Sequence, residues 1–350
     1  MKDIKNFTAA FPKVEKRVKE ISLEEFPYFR TNGFDEITLR VKERLTILGG
    51  AVGQHELAIY TGTGTASLDA ALNNFVRSDD KILVVKGGRF GTLLVEMCNF
   101  YRIATCVYEQ IPGEDIDLTS LEAFIDKEKP DVLFMQHNET SVMQLYNISK
   151  ICGLAKQYNL MTIVDACSSF AIDPINVFKD QVDVLLYSSQ KGLGVPAGLA
   201  FISYNKYLNK YKGSYYLDVD FYNGNAGRFI QPFTPPVTIM YQLLYRLEMI
   251  DKMGVSTWFN RISNRAEKFR KQVATLPVKI VAETPSNCGT VFDTGRSDNA
   301  DFCGRLTKQG IYITNSKGYW GDYLSVGHIG DISENEYDAL FKELRLWLNA

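Results

Sequence analysis

No apolar run in the 350-residue sequence approaches the roughly 18 uninterrupted residues of a membrane-spanning helix, so no membrane partner is expected. Neither sign of charge dominates: 39 Lys and Arg stand against 41 Asp and Glu, a formal net charge of −2. Such a balance offers no electrostatic footprint for a nucleic acid. Histidine is scarce, with 3 in all, and the 6 cysteines form no CxxC pair. No metal-ligand cluster can be read from them, and no metal site is expected. The opening MKDIKNFTAAFPKVEK lacks the apolar stretch of a secretory signal. The expectation is a cytoplasmic protein with reduced, mostly buried thiols.

What the sequence does have is alternation. From residue 57 to about 203, the short apolar runs LAIY, KILVV, ATCVY, DVLFM, MTIVD, VDVLLY and LAFIS are separated by amphipathic segments. In one of these, Leu68, Ala71, Leu72 and Phe75 share a helical face. Strand–helix alternation predicts an α/β domain with a largely parallel sheet. Gly and Pro between VDVLLY and LAFIS predict one tight reversal within it. Beyond about Pro236 a helical pattern over 238–253 leads into helices and short strands, ending in an amphipathic tail over 334–348. The expected division is a large domain over residues 16–240 and a smaller α+β domain over 241–350, which residues 1–15 join.

Ligands of open α/β sheets bind beyond the carboxyl ends of the strands, so the residues after each run matter most. After LAIY comes Thr61-Gly62-Thr63-Gly64-Thr65, opening a helix. Glycines let backbone N–H groups approach an anion, and the helix N-terminus favours one. An ordinary Gly-rich turn with a Thr cap reads equally well. Asp165 follows MTIV, where a carboxylate needs a cation, a donor or a cap. Lys191 ends Ser188-Ser189-Gln190-Lys191 after VDVLLY; alone, it reads as a solvated loop residue. Gln136-His137-Asn138-Glu139-Thr140-Ser141 follows DVLFM, and Lys86-Gly87-Gly88-Arg89-Phe90 ends KILVV. Together these set an anion cup, a carboxylate, an amine and an aromatic ring along one sheet edge. Pyridoxal 5′-phosphate (PLP) needs that set: a lysine for its aldehyde, a carboxylate for its ring nitrogen, a stacking ring and a phosphate anchor.

The spaced segments TGTGTASLDAAL, HNETSVMQLYNI, VDACSSFAIDPINVFKDQVDVLLYSSQKGLGVPAGLAFIS and PFTPPVTIMYQLLYRLEMI resemble those of PLP-dependent, fold type I, class V aminotransferases. The 2-aminoethylphosphonate–pyruvate and alanine–glyoxylate transaminase branches are the most similar. The resemblance implies a PLP enzyme with Lys191 carrying the cofactor and shuttling a proton, and Asp165 keeping the ring nitrogen protonated. It implies Phe90 stacked on the ring, Thr140 near its phenolic oxygen, and Thr63, Gly64, Thr65 and Gln190 on the phosphate. It also implies a homodimer in which Thr234 reaches the other protomer's phosphate. One position departs from the pattern. In Leu324-Ser325-Val326-Gly327-His328-Ile329-Gly330, Ser325 stands where the family places an arginine that grips the substrate carboxylate. A serine hydroxyl cannot reproduce a bidentate guanidinium clamp. Arg30, Arg228 and Arg296 are candidate substitutes, and Arg30, Ser325 and His328 form the expected substrate set. The implied reaction is amino transfer from a small amine or amino acid to a 2-oxo acid or aldehyde. PLP-dependent lyase or decarboxylase chemistry is the alternative that Ser325 leaves open. Ser188-Ser189-Gln190-Lys191 with Ser297-Asp298-Asn299 also spells a penicillin-interacting serine-enzyme pattern, but no Lys-Thr-Gly completes it.

Overall fold

The structure, a computed structural model, describes residues 4–223, 229–316 and 321–349. Its large sheet contains β1 (His55–Gly62), β2 (Lys81–Lys86), β3 (Ala104–Glu109), β4 (Val132–Gln136), β5 (Met161–Asp165), β6 (Val184–Ser188) and β7 (Gly198–Asn205). The spatial order is β1-β7-β6-β5-β4-β2-β3. Pairing is parallel except for β7, which runs against both neighbours, with Gly198 opposite Gly62 and Ala200 opposite Ser188. The Gly/Pro reversal after VDVLLY is therefore present, and each of the seven apolar runs supplies one strand of this sheet.

Period-two alternation sends each strand to two cores. Leu83, Leu133, Val164, Leu185 and Phe201 pack on one face, with α1 (Asn32–Leu48) and the helices Leu118–Glu128 and Ile148–Gln157. Val84, Phe134, Ile163, Leu186 and Ile202 pack on the other, against α2 (Gly64–Phe75) and α3 (Arg89–Tyr101). A strand buried on both faces reads as a nearly continuous apolar run, which explains the clarity of the sequence signal.

The helix α4 (Val237–Met253) corrects the expected domain boundary. Its Met240, Leu243, Leu244 and Leu247 belong to the first core, alongside Phe34, Val41 and Leu45 of α1. Packing therefore places the division near Gly254, the residue between α4 and α5 (Val255–Val273), rather than at 240. The smaller domain holds β8 (Lys279–Ile280), β9 (Gly289–Asp293), β10 (Thr314–Asn315) and β11 (Leu324–Gly327), in the order β8-β9-β11-β10. Around that sheet lie α5, α6 (Asn299–Lys308) and α7 (Glu334–Leu348). Lys5 and Asn6 pair in parallel with Ile311 and Tyr312, and Phe7 enters the same core. No helix among the described residues is long and apolar enough to cross a membrane, and all six cysteines are free.

Candidate active site

The carboxyl ends of β1, β6, β5, β4 and β2 lie along one edge of the sheet, because β6, β5, β4 and β2 pair in parallel and β1 and β6 both run against the β7 between them. Lys191 is placed there by backbone contacts. Ser189 is fixed by its Oγ donating to the Pro196 carbonyl at 2.8 Å and its N–H donating to Leu199 at 3.0 Å. The Gly194 N–H then closes the turn on the Lys191 carbonyl at 3.0 Å. Gly192 passes so near the Phe170 carbonyl that a Cβ would lie 2.1 Å from it. Lys191 itself is 8% exposed, with Nζ 5.2 Å from the centre of the Phe90 ring. An amine and an aromatic face are thus brought together from β6 and from the first turn of α3.

On the neighbouring strand, Asp165 is buried and accepts the Cys167 N–H at 2.8 Å. Burial pushes its carboxyl pKa up, while the Cys167 hydrogen bonds and the positive charge of Lys191 oppose that shift. Asp165 and Lys191 in turn act on the Cys167 thiol, in opposite directions. Burial and the Asp165 charge push it well up, so it stands as a neutral thiol. Thr140 donates to Ser168 Oγ at 2.8 Å, and Ser168 donates to the Asn138 carbonyl at 3.0 Å. These bonds join the segment after β4 to the turn after Asp165. Glu139, fully buried, accepts from Ser141 N and Oγ at 3.1 and 2.7 Å and from Gly91 N at 3.4 Å. It thereby ties the first turn of α3, and Phe90 with it, to the same segment.

The Thr61–Thr65 turn does open a helix. Thr63 is the N-cap of α2 and makes no side-chain capping bond, so its hydroxyl is not spent on the helix. Gly64 lies over Cys167 and Ser188: a Cβ would come 2.7 Å from Cys167 Sγ and 3.5 Å from Ser188 Oγ. The hydroxyl of Ser188 and Oε1 of Gln190 are buried and have no hydrogen-bond partner, an arrangement that calls for a polar ligand. A cup with leading helix N–H groups, unpartnered buried polar atoms, a buried carboxylate and a near-buried lysine fits PLP. Thr65, by contrast, faces a surface groove that it shares with Asp69, Phe100 and Tyr101. Thr234 is exposed, and its carbonyl accepts from Thr61 Oγ1 of the same chain at 3.2 Å, at the rim of the cup.

The expected substrate residues are not all brought here. Ser325 lies in the middle of β11 opposite Val291. Leu324 and Val326 enter the small-domain core, while Val291 packs with Ala9, Met143 and Ile172 between the domains. Ser325 thus belongs to the sheet face turned toward the large domain. His328 is a correction: it is completely buried, with Nε2 2.8 Å from Thr290 Oγ1 and Nδ1 3.0 Å from the Tyr337 hydroxyl. Both ring nitrogens are engaged in the small-domain core, and burial holds its pKa well below the usual value, so it has nothing to offer a substrate. Arg296 binds Asp298 at 2.9 Å and lies over the Trp347 ring; Ser297-Asp298-Asn299 is thereby the start of α6, a helix of the small-domain core. Arg30 is exposed, with its guanidinium over Phe29. Arg228 lies outside the described residues. Cys167 and Ser188 under the cup are not among the expected cofactor residues. Their signal is position, beside Asp165 and at a strand's last residue, rather than residue type.

The family model described as "Aminotransferase class-V" matches residues 40–319. A Synechococcus sp. protein named "Soluble hydrogenase, small subunit" is 27% identical over 83% of this chain and 79% of its own length. The 2-aminoethylphosphonate–pyruvate transaminase of Bacillus cereus is 26% identical over 93% of this chain and 92% of its own. Among solved structures, an alanine–glyoxylate aminotransferase from Nostoc sp. superposes with a TM-score of 0.92 at 20% identity, covering 99% of this chain and 95% of that one.

Proposed function

The chain belongs to the class V aminotransferases, PLP-dependent enzymes, and from that premise we propose that its amino donor is a small amine of the 2-aminoethylphosphonate type, with a 2-oxo acid or aldehyde as acceptor. The observation that bears on the donor is Ser325, a hydroxyl where the resemblance expects the guanidinium that grips an α-carboxylate. It disfavours an α-amino acid donor and, at the same site, favours an aldehyde over a 2-oxo acid as acceptor. A relative covered almost end to end, whose name states such a donor, supports it. Membership of an aminotransferase family favours amino transfer over the lyase and decarboxylase alternative.

Bound PLP would supply an electron sink for the carbon that bears the amine. The residues of this chain supply the rest. Lys191 would carry the cofactor and, when released by the donor amine, take and return a proton as a neutral base. Asp165 would hold a proton at the ring nitrogen, a charge pair that offsets the cost of its burial. Phe90, fixed through Glu139, would cover one face of the ring, while Cys167 lies beneath the cup beside Asp165. Thr140, oriented by Ser168, would donate near the phenolic oxygen. The N–H groups opening α2, that of Thr65 among them, would anchor the phosphate together with Thr63 and Gln190, while the Thr65 side chain faces away. Exposed Thr234 supports a homodimer in which Thr234 of the partner subunit completes that anchor. The free cysteines support a cytoplasmic, reducing location.

Borohydride reduction should fix the cofactor to the peptide that contains Lys191. A panel of amines, followed by the spectral change that marks conversion of PLP to its amino form, tests the donor. Conversion by 2-aminoethylphosphonate and not by α-amino acids is the expected result. Conversion by α-amino acids alone overturns the donor class but leaves amino transfer intact. Release of ammonia or carbon dioxide without conversion overturns amino transfer itself.

A further inference from the structure

Beside the turn that follows Lys191, a cleft is lined by residues from both domains. Gly192 and Gly194 form one wall, and α4, the start of α5 and residues 329–331 form the others. Four cationic side chains line it (Lys13, Arg246, Arg261 and Arg265), against the two carboxylates Glu15 and Asp331. Lys13 is also tied to Glu336 at 3.1 Å, and Arg265 donates to the carbonyls of His328 and Gly330, both at 2.9 Å. Even with Glu336 included, the cations outnumber the carboxylates.

Arg246 is the informative member. It is 5% exposed, its Nη1 reaches Glu15 Oε2 at 2.9 Å, and its guanidinium lies over the Trp258 ring. Its Nε is buried and has no hydrogen-bond partner. A Cβ at Gly194 would lie 3.7 to 3.9 Å from the guanidinium, so the turn after Lys191 packs directly on it. Arg261, which is exposed, and Arg246 lie close enough to repel one another. A cluster built only to brace two domains would pair each cation with an anion. Here a buried N–H is left over, and Arg246 and Arg261 repel one another. That pattern matches recognition of an oxyanion, for which guanidinium groups supply paired donors. The cleft has room for about 40 Å³, a few water molecules or one compact anion.

We propose that this cleft is a binding site for a small oxyanion of the phosphate or carboxylate class, held by Arg246, Arg261 and Arg265, which braces the turn that carries Lys191. The site is separate from the phosphate cup at α2, and nothing in the amino-transfer reaction requires it.

The test uses the PLP-loaded enzyme after borohydride reduction, so that the cofactor occupies the cup and cannot be displaced. Inorganic phosphate and malonate are titrated separately by calorimetry and by thermal denaturation. Binding with a Kd of about 1 mM or tighter, a rise in the melting temperature with concentration, and loss of both in Arg261→Ala are expected. Whichever ligand binds identifies phosphate-type or carboxylate-type chemistry. Arg246→Met should abolish binding too, and Arg261→Ala, at an exposed position, remains informative if the buried substitution fails to fold. Absence of binding by both anions, or binding that survives Arg261→Ala unchanged, overturns the proposal. Neither result bears on Lys191, whose attachment to the cofactor is read independently from the reduced peptide.

Discussion

Gly64→Ala tests the cup directly, because the obstacle to a new methyl group is one atom. The added Cβ would fall 2.7 Å from Cys167 Sγ, about 0.7 Å short of ordinary contact, while its next neighbours, Cys167 Cβ and Ser188 Oγ, stand at an acceptable 3.5 Å. Gly64 does not adopt a positive φ, so backbone strain plays no part and the cost is steric. Either the thiol swings toward Asp165 and Ser188, or the first turn of α2 lifts from the sheet edge and takes its N–H groups with it. Overpacking of this kind costs about 1–3 kcal/mol. Expressed wholly in the cup, that is a roughly 5- to 150-fold loss of PLP affinity. Cys167→Ala removes Sγ and with it the clash. The double variant should therefore recover much of the affinity lost in Gly64→Ala, giving a coupling energy of about 1 kcal/mol or more. Equilibrium PLP titration of the four proteins measures it. If Gly64→Ala binds PLP as the parent does, or if the two effects simply add, Gly64 does not press on Cys167 beneath the cup and the reasoning is refuted.

Asp165→Asn keeps the shape and the bond from the Cys167 N–H but removes the charge. PLP affinity should fall by about 1.5–3 kcal/mol, roughly 10- to 150-fold, and turnover should fall further; full activity in that variant would refute the assigned role. His137 is buried beside Ser169, and burial lowers its pKa from the usual 6.5 to about 3. The unfolded chain therefore binds a proton there below about pH 6.5 that the native state refuses, and stability falls as pH drops through that window. Denaturant unfolding between pH 4 and 6.5 should show a slope shallower by about 1.4 kcal/mol per pH unit in His137→Gln, and equal slopes would refute the assignment. Thr234→Ala should weaken PLP binding without changing the assembly state, and light scattering should give the mass of a dimer for both proteins. A monomer that binds PLP normally would remove Thr234 from the site.

The large sheet is legible in the sequence because its strands are buried on both faces. Runs such as VDVLLY and DVLFM leave few alternatives, and the pieces of the cup, carboxylate, amine and ring follow from where those strands end. The boundary at 240 fails for a different reason. The 3.6-residue period of α4 announces a helix with an apolar face but not which core receives it, and Met240, Leu243 and Leu247 face α1. His328 misleads because a polar residue in a glycine-flanked segment looks available. Its two hydrogen bonds come from Thr290 and Tyr337, which are distant from each other in sequence. Arg296 likewise reads as free, although Trp347, 51 residues further on, packs over it in the fold. Pairings between remote segments leave no local trace, so the small domain is the harder half to read.

The two glycines nearest the chemistry separate what side chains set from what the backbone sets. At Gly64 the obstruction is the end of a side chain. At Gly192 it is the Phe170 carbonyl, 2.1 Å from where a Cβ would stand, with Ile172 Cγ1 at 2.6 Å and the Ala171 carbonyl carbon at 3.1 Å. Phe170 cannot withdraw easily. Its N–H bonds the Ala166 carbonyl at 2.8 Å, and its ring lies 3.7 Å from that of Tyr187 in a stacked pair. In Gly192→Ala, then, the Lys191 turn must move, and no single truncation relieves it, since trimming Ile172 leaves the carbonyl in place. Gly192→Ala should consequently lose more cofactor attachment than Gly64→Ala and gain nothing from Ile172→Ala, both read by PLP absorbance and borohydride trapping. Recovery on trimming Ile172 would mean that side-chain packing, and not the backbone of its turn, positions Lys191.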